Sequence, residues 1–96
     1  MFARVTIVQG SPDRYDDAVR IINERAVPGA SQIPGIVAAY WALDRDSGKG
    51  VTFAVFDTEE SLNASEQAVR ELRERSVAEV GGQIVSVETY EIVGQV

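Results

Sequence analysis

The 96-residue chain contains no cysteine and no histidine. The first absence removes disulfides, thiolate nucleophiles and zinc fingers. The second removes the commonest general base, the usual haem ligand and the commonest transition-metal ligand. No apolar run approaches the roughly 20 residues of a membrane span. The opening MFARVTIVQG holds a single arginine inside a strand-like run and does not read as a signal peptide. A soluble, cytoplasmic protein with no membrane partner is the default expectation. Positive charge is in short supply as well. Nine Lys and Arg face fifteen Asp and Glu, a formal net charge of -6. That balance argues against nucleic acid or an anionic membrane as partner. Arg70, Arg73 and Arg75 alternate with Glu71 and Glu74, so no basic face builds up. Linkers and low-complexity segments are missing, and the length fits one small domain spanning residues 1–96.

What is present is organised around residues 36–57. IVAAYWALD and GVTFAVFD read as two strands joined by Arg45-Asp46-Ser47-Gly48-Lys49, with Gly48 in the left-handed position of a type I turn with a G1 bulge. That register sets Leu43 opposite Val51, Trp41 opposite Phe53 and Ala39 opposite Val55. Ala42/Thr52, Tyr40/Ala54 and Ala38/Phe56 then share the other face. Both faces are largely apolar, so both need cover. A slip of one residue would exchange them.

Upstream, FARVTIVQ (residues 2–9) reads as a first strand. Ser11-Pro12 reads as a helix start, an N-cap followed by proline where its missing N–H costs nothing. Tyr15, Ala18, Val19, Ile22 and Ala26 recur at helical spacing, and the helix weakens near Val27-Pro28-Gly29. Downstream, Asp57 or Thr58 caps a second helix whose face carries Leu62, Ser65, Val69, Leu72, Ser76 and Val80. Gly81-Gly82 stops it, and QIVSVETYEIV forms a last strand. The order βαββαβ predicts an α+β, ferredoxin-like split βαβ: a four-stranded antiparallel sheet with two helices on one face. The helices cover one face only. A second copy of the same sheet is the economical cover for the other, giving a homodimeric α/β barrel. The predicted dimer interface is Trp41, Leu43, Val51, Phe53 and Val55.

The element order, the run FAVFDTEESL and the closing SVETYEIV resemble the dimeric α/β-barrel superfamily, in its antibiotic-biosynthesis-monooxygenase-like (ABM) branch. The resemblance spans essentially the whole chain. It implies a small homodimer, with a cofactor-free monooxygenase acting on an apolar aromatic, quinol- or phenol-like substrate as one reading. A non-catalytic ligand-binding or structural homodimer of the same fold is the other. Haem-degrading members carry an Asn on strand one, a Trp ending strand three and a His on helix two. Those positions fall near Ala3, Phe56 and Glu66, and none of the three residues is kept. The expectation is therefore no haem, no metal and no other cofactor.

The predicted substrate pocket lies between helices and sheet, near Tyr15, Tyr40, Thr52, Phe56, Leu62 and Glu66. Its rationale is size, because three alanines and a threonine leave room on the face assigned to the helices. Phe56 serves equally as a core residue, and Tyr40 as an edge tyrosine with its hydroxyl in water. Glu66 stands where a base would act, but its spacing to Arg70 also fits a surface ion pair. Arg4 is the oddest residue. An arginine within a buried strand needs a carboxylate, for which Glu88 or Glu91 is the expected partner, or else it anchors an anion. The aspartate groups at 13–17 and 44–46 lack calcium-loop spacing. Gly48-Lys49-Gly50 closes a hairpin and is no phosphate loop.

Overall fold

The structure, a computed structural model, describes residues 1–96. Strands β1 (Phe2–Gln9), β2 (Ile36–Leu43), β3 (Lys49–Phe56) and β4 (Gln83–Glu91) form one antiparallel sheet in the order β2-β3-β1-β4. The chain is thus an α+β domain with ferredoxin-like topology. Continuous apolar β1 occupies an inner position, paired with β3 on one side and β4 on the other.

The connection after β1 is wound in four pieces. A 3-10 turn (Pro12–Arg14) leads into α1 (Tyr15–Ile21), a π-turn (Ile22–Ala26) and α2 (Val27–Ala30). Proline opens the first turn as expected, although Ser11 makes no side-chain cap. The helix does not fail at Val27-Pro28-Gly29 but continues to Ala30. Pro28 has no N–H to donate, and the wider π-turn just upstream accommodates the missing bond. The 3-10 start and the π-turn also shift the helical phase. Ile21, Ala26 and Ala30 are buried, while Val19, expected inside, is 38% exposed.

The second connection starts on Thr58, whose Oγ1 accepts from the Ser61 N–H at 3.0 Å. It breaks at Ser65 into α3 (Glu59–Ala64) and α4 (Glu66–Glu79). Gly81, at φ +69°, ends α4.

The hairpin departs from expectation by one residue. Its loop holds four residues, closed by Asp44 N–H to the Lys49 carbonyl at 2.8 Å and Gly48 N–H to the Asp44 carbonyl at 2.9 Å. Ser47 Oγ donates to the Asp44 carboxylate at 2.7 Å and accepts from Lys49 N–H at 3.2 Å. The hydroxyl holds the Asp44 carboxyl below the usual carboxylate range. Gly48 supplies the left-handed residue, φ +76°, as expected. Leu43 therefore faces Gly50, Trp41 faces Thr52 and Tyr40 faces Phe53. The extra loop residue reverses the parity of β2 relative to β3. Trp41 and Leu43, assigned above to the dimer face, lie on the helix side with Thr52, Ala54 and Phe56. Tyr40, assigned to the pocket, lies on the open side with Val51, Phe53 and Val55. On that open face Tyr40, Phe53 and Tyr90 remain 67%, 40% and 52% exposed.

The loop geometry predicts the effect of one substitution. A Cβ on Gly48 would lie 2.4 Å from the Gly10 carbonyl oxygen, on a backbone that L-residues rarely adopt. Gly48→Ala should lower stability by more than about 1 kcal/mol in urea unfolding. An unchanged midpoint would show that the loop relaxes freely.

Candidate functional site

A cavity of about 140 Å³ lies between the helices and the sheet. Its roof is Tyr15, Ala18 and Ile22 from the first helical arm and Val69, Leu72 and Ser76 from α4. Its floor is Ala39, Trp41 and Leu43 from β2 with Thr52 and Ala54 from β3. The space exists because Ala39, Thr52 and Ala54 sit side by side on the helix face, where larger residues would meet α1 and α4. An engineered apolar cavity of about 150 Å³ admits benzene, so this volume suits a single ring.

One end of the cavity is charged. Arg4, on β1, points to the helix side and is only 2% exposed. Its Nη2 lies 2.9 Å from Glu66 Oε2 and donates to the Leu62 carbonyl at 2.8 Å. Its Nη1 donates to Ser65 Oγ at 3.2 Å, and its guanidinium lies 5.4 Å from the centre of the Phe56 ring. Burial lowers the Arg4 pKa from the usual arginine value, with Glu66 opposing that change and Arg73 adding to it. The group nevertheless stays a guanidinium at neutral pH. Arg73, one face of α4 with Glu66, reaches Glu66 Oε1 at 3.4 Å and is 11% exposed. Arg70 reaches the same oxygen at 3.6 Å from solvent. Glu66 is therefore the shared counter-ion of three arginines. Arg4 and Arg73, like Arg14, are among the residues that line the cavity. Arg4 Nε and Arg73 Nε and Nη1 are packed within the protein without a hydrogen-bond partner.

At the other end the hairpin loop is fastened to the first helical arm. The Arg45 guanidinium stacks 4.0 Å from the centre of the Tyr15 ring and pairs with Asp16 at 3.5 Å. Gly10 N–H and the Gln9 side chain bond the Gly48 and Ser47 carbonyls at 2.9 and 2.8 Å.

Of the six residues expected around a pocket, Tyr15, Thr52 and Phe56 line this cavity. Leu62 lies buried behind it and lends its carbonyl to Arg4. Glu66 orients the two arginines at its end. Tyr40 is on the opposite face of the sheet. Arg4 does find a carboxylate, but it is Glu66 and not Glu88 or Glu91. Glu88 pairs with Val5 and so points to the other face, and Glu91 sits beside Phe2 at the strand end. Trp41 and Arg73 were not anticipated here. Arg73 was legible only in its seven-residue spacing from Glu66, which returns it to the same side of a helix. No group of three or more carboxylates is arranged to hold a metal ion, and no helix is long and apolar enough to cross a membrane.

No protein-family model matches the sequence. The Mycobacterium tuberculosis H37Rv protein Rv2557 is 27% identical over 92 residues, 96% of this chain. The chain spans 41% of that relative's length. Solved structures are similar throughout. A monooxygenase from the gene ActVA-Orf6 of Streptomyces coelicolor, crystallised with the ligand nanaomycin D, has a TM-score of 0.74 at 17% identity, covering 99% of this chain and 89% of that one. An antibiotic-biosynthesis-monooxygenase-type protein of Chloroflexus aurantiacus has a TM-score of 0.69 at 22% identity, covering 98% and 94%. The chain thus shares the ferredoxin-like α+β fold of these solved structures.

Proposed function

We propose that the protein is a small homodimeric, cofactor-independent monooxygenase acting on an apolar aromatic substrate of the quinol or phenol type. The observation that carries this reading is the ring-sized apolar cavity with the buried Arg4 and the partly buried Arg73 among its lining residues. An electron-rich phenol supplies its own electrons to oxygen, so the site has only to bind, orient and stabilise an anion. Trp41, Leu43 and the helix residues hold the ring, and the arginine end stabilises negative charge on its oxygen in a medium where such interactions are strong. The Streptomyces protein of the same fold holds nanaomycin D, which supports an organic ligand here.

A binding protein without turnover is the second reading. It is favoured by the state of Glu66, which three arginines engage, so that no free carboxylate and no imidazole stands on the cavity wall to take a proton. Oxygen uptake separates the two. With a panel of single-ring and fused-ring quinols, the protein should consume oxygen well above the uncatalysed rate. Trp41→Ala should reduce kcat/KM by about tenfold through lost positioning. Binding of the quinols without added oxygen uptake would leave the second reading.

The homodimer rests on the open sheet face. Tyr40, Val51, Phe53 and Tyr90 form an apolar surface that no helix covers, and burying each such side chain is worth roughly 1.5–3 kcal/mol. Light scattering should return twice the 10.4 kDa chain mass at micromolar concentration. Phe53→Asp should give monomer or aggregate, whereas a wild-type monomer would remove the dimer from the proposal.

A further inference from the structure

We infer that Thr6 and Thr52 form a paired-hydroxyl anchor, which holds the ligand by one uncharged ring oxygen, a phenolic hydroxyl or an aryl carbonyl. The inference rests on the aromatic reading of the cavity for its ring, and on the two threonines alone for its oxygen. The strand registers set them in one row across the helix face of the sheet. Trp41 on β2 faces Thr52 on β3, Thr52 faces Thr6 on β1, and Thr6 faces Val87 on β4. The adjoining row holds Ala39, Ala54 and Arg4, and its two alanines leave room for a ring beside Trp41. Directly opposed residues on antiparallel strands stand roughly 5 Å apart at their Cβ atoms. Two hydroxyls at that separation can share one oxygen between them.

Both threonines line the cavity. Thr6 is 4% exposed, so its side chain lies inside the protein. Neither hydroxyl hydrogen-bonds to any group of the chain, the other threonine included. Yet the Thr6 hydroxyl is not among the groups sealed off without a partner, which are Arg4 Nε, Arg73 Nε and Arg73 Nη1. It therefore keeps some accessible surface, and the cavity is the space that Thr6 lines. Leaving a buried hydroxyl unpaired costs free energy, and valine has the same shape and an equal preference for strands. A ligand oxygen supplies the partner that the fold withholds. A threonine hydroxyl donates one bond and accepts others, so the pair receives a hydroxyl or a carbonyl alike. The anchor carries no charge and needs none on the ligand. It is separate from the Arg4–Glu66–Arg73 cluster, since Thr6 lies one row further along the sheet.

Phenol, acetophenone and toluene should be titrated by calorimetry into the intact wild-type protein and into Thr6→Val and Thr52→Val. Valine keeps the shape and removes only the hydroxyl. Each substitution is expected to weaken phenol binding about fivefold and to leave toluene binding unchanged. Acetophenone weakened to the same extent assigns the carbonyl as well, and acetophenone unaffected assigns the hydroxyl alone. The urea midpoints of the ligand-free variants should not fall, because no bond within the protein is lost. Phenol affinity unchanged in both variants, an equal loss for toluene, no phenol binding to the wild type, or a lowered midpoint would overturn the inference. If Thr6→Val does not fold by circular dichroism, Thr52→Val decides alone. Oxygen uptake is read separately. Threonine-dependent phenol binding without quinol turnover keeps this inference and removes the oxygenase. Quinol turnover with a phenol affinity indifferent to both threonines does the reverse.

Discussion

A guanidinium with no access to water is the constraint on which this structure turns. Arg4 enters from the middle of the sheet and must find a charge and acceptors before the helices can close over it. The second connection provides both. Leu62 gives a carbonyl, Ser65 a hydroxyl and Glu66 a carboxylate, all within one turn of the point where α3 gives way to α4. That helical arm is thereby keyed to β1 by polar bonds, in addition to the apolar contacts that would hold it anywhere along the sheet. Removing Glu66 would strand two guanidiniums, whereas an apolar residue at position 4 would need no partner at all.

That space has its own local causes. Alanines and a threonine on neighbouring strands lower the floor, and Ile22 and Ala26, at the two ends of the π-turn, line it from the roof. Elsewhere the same helices approach closely. A methyl group on Gly29 would collide with Leu72, 2.9 Å away. Cavity and contact thus alternate along one helix–sheet interface, each set by which positions carry small side chains.

Much of this was legible in the residues. β1 ended where Gly10 stopped the β-branched run, Thr58 capped where an acidic first turn followed it, and Gly48 took the left-handed conformation that the turn required. The element order alone gave the sheet. The faces of the hairpin were not legible, because three- and four-residue loops both use a glycine at that point. The choice between them lay in the Asp44–Ser47–Lys49 hydrogen bonds, which propensity does not encode. Parity then propagated: a single misplaced loop residue carried Trp41, Leu43 and Tyr40 to the wrong sides. The partner of Arg4 was hidden for a different reason. Strand neighbours are read from sequence as adjacent carboxylates, but an even-numbered β1 side chain can meet only what lies above the helix face, and that is set by the tertiary placement of α3 and α4.

The four-residue hairpin loop has an evolutionary consequence. Substitutions along β2 change the cavity or the outer face one side chain at a time, and each can be tested by selection separately. Losing or gaining one loop codon does something else. It would exchange Trp41 and Leu43 with Tyr40 and Ala42 in a single step, turning the strand inside out while leaving every amino acid of it intact. A substitution reaches one side chain, whereas a one-residue change in loop length reaches every side chain of β2 at once, so loop length is what keeps chamber and outer surface distinct.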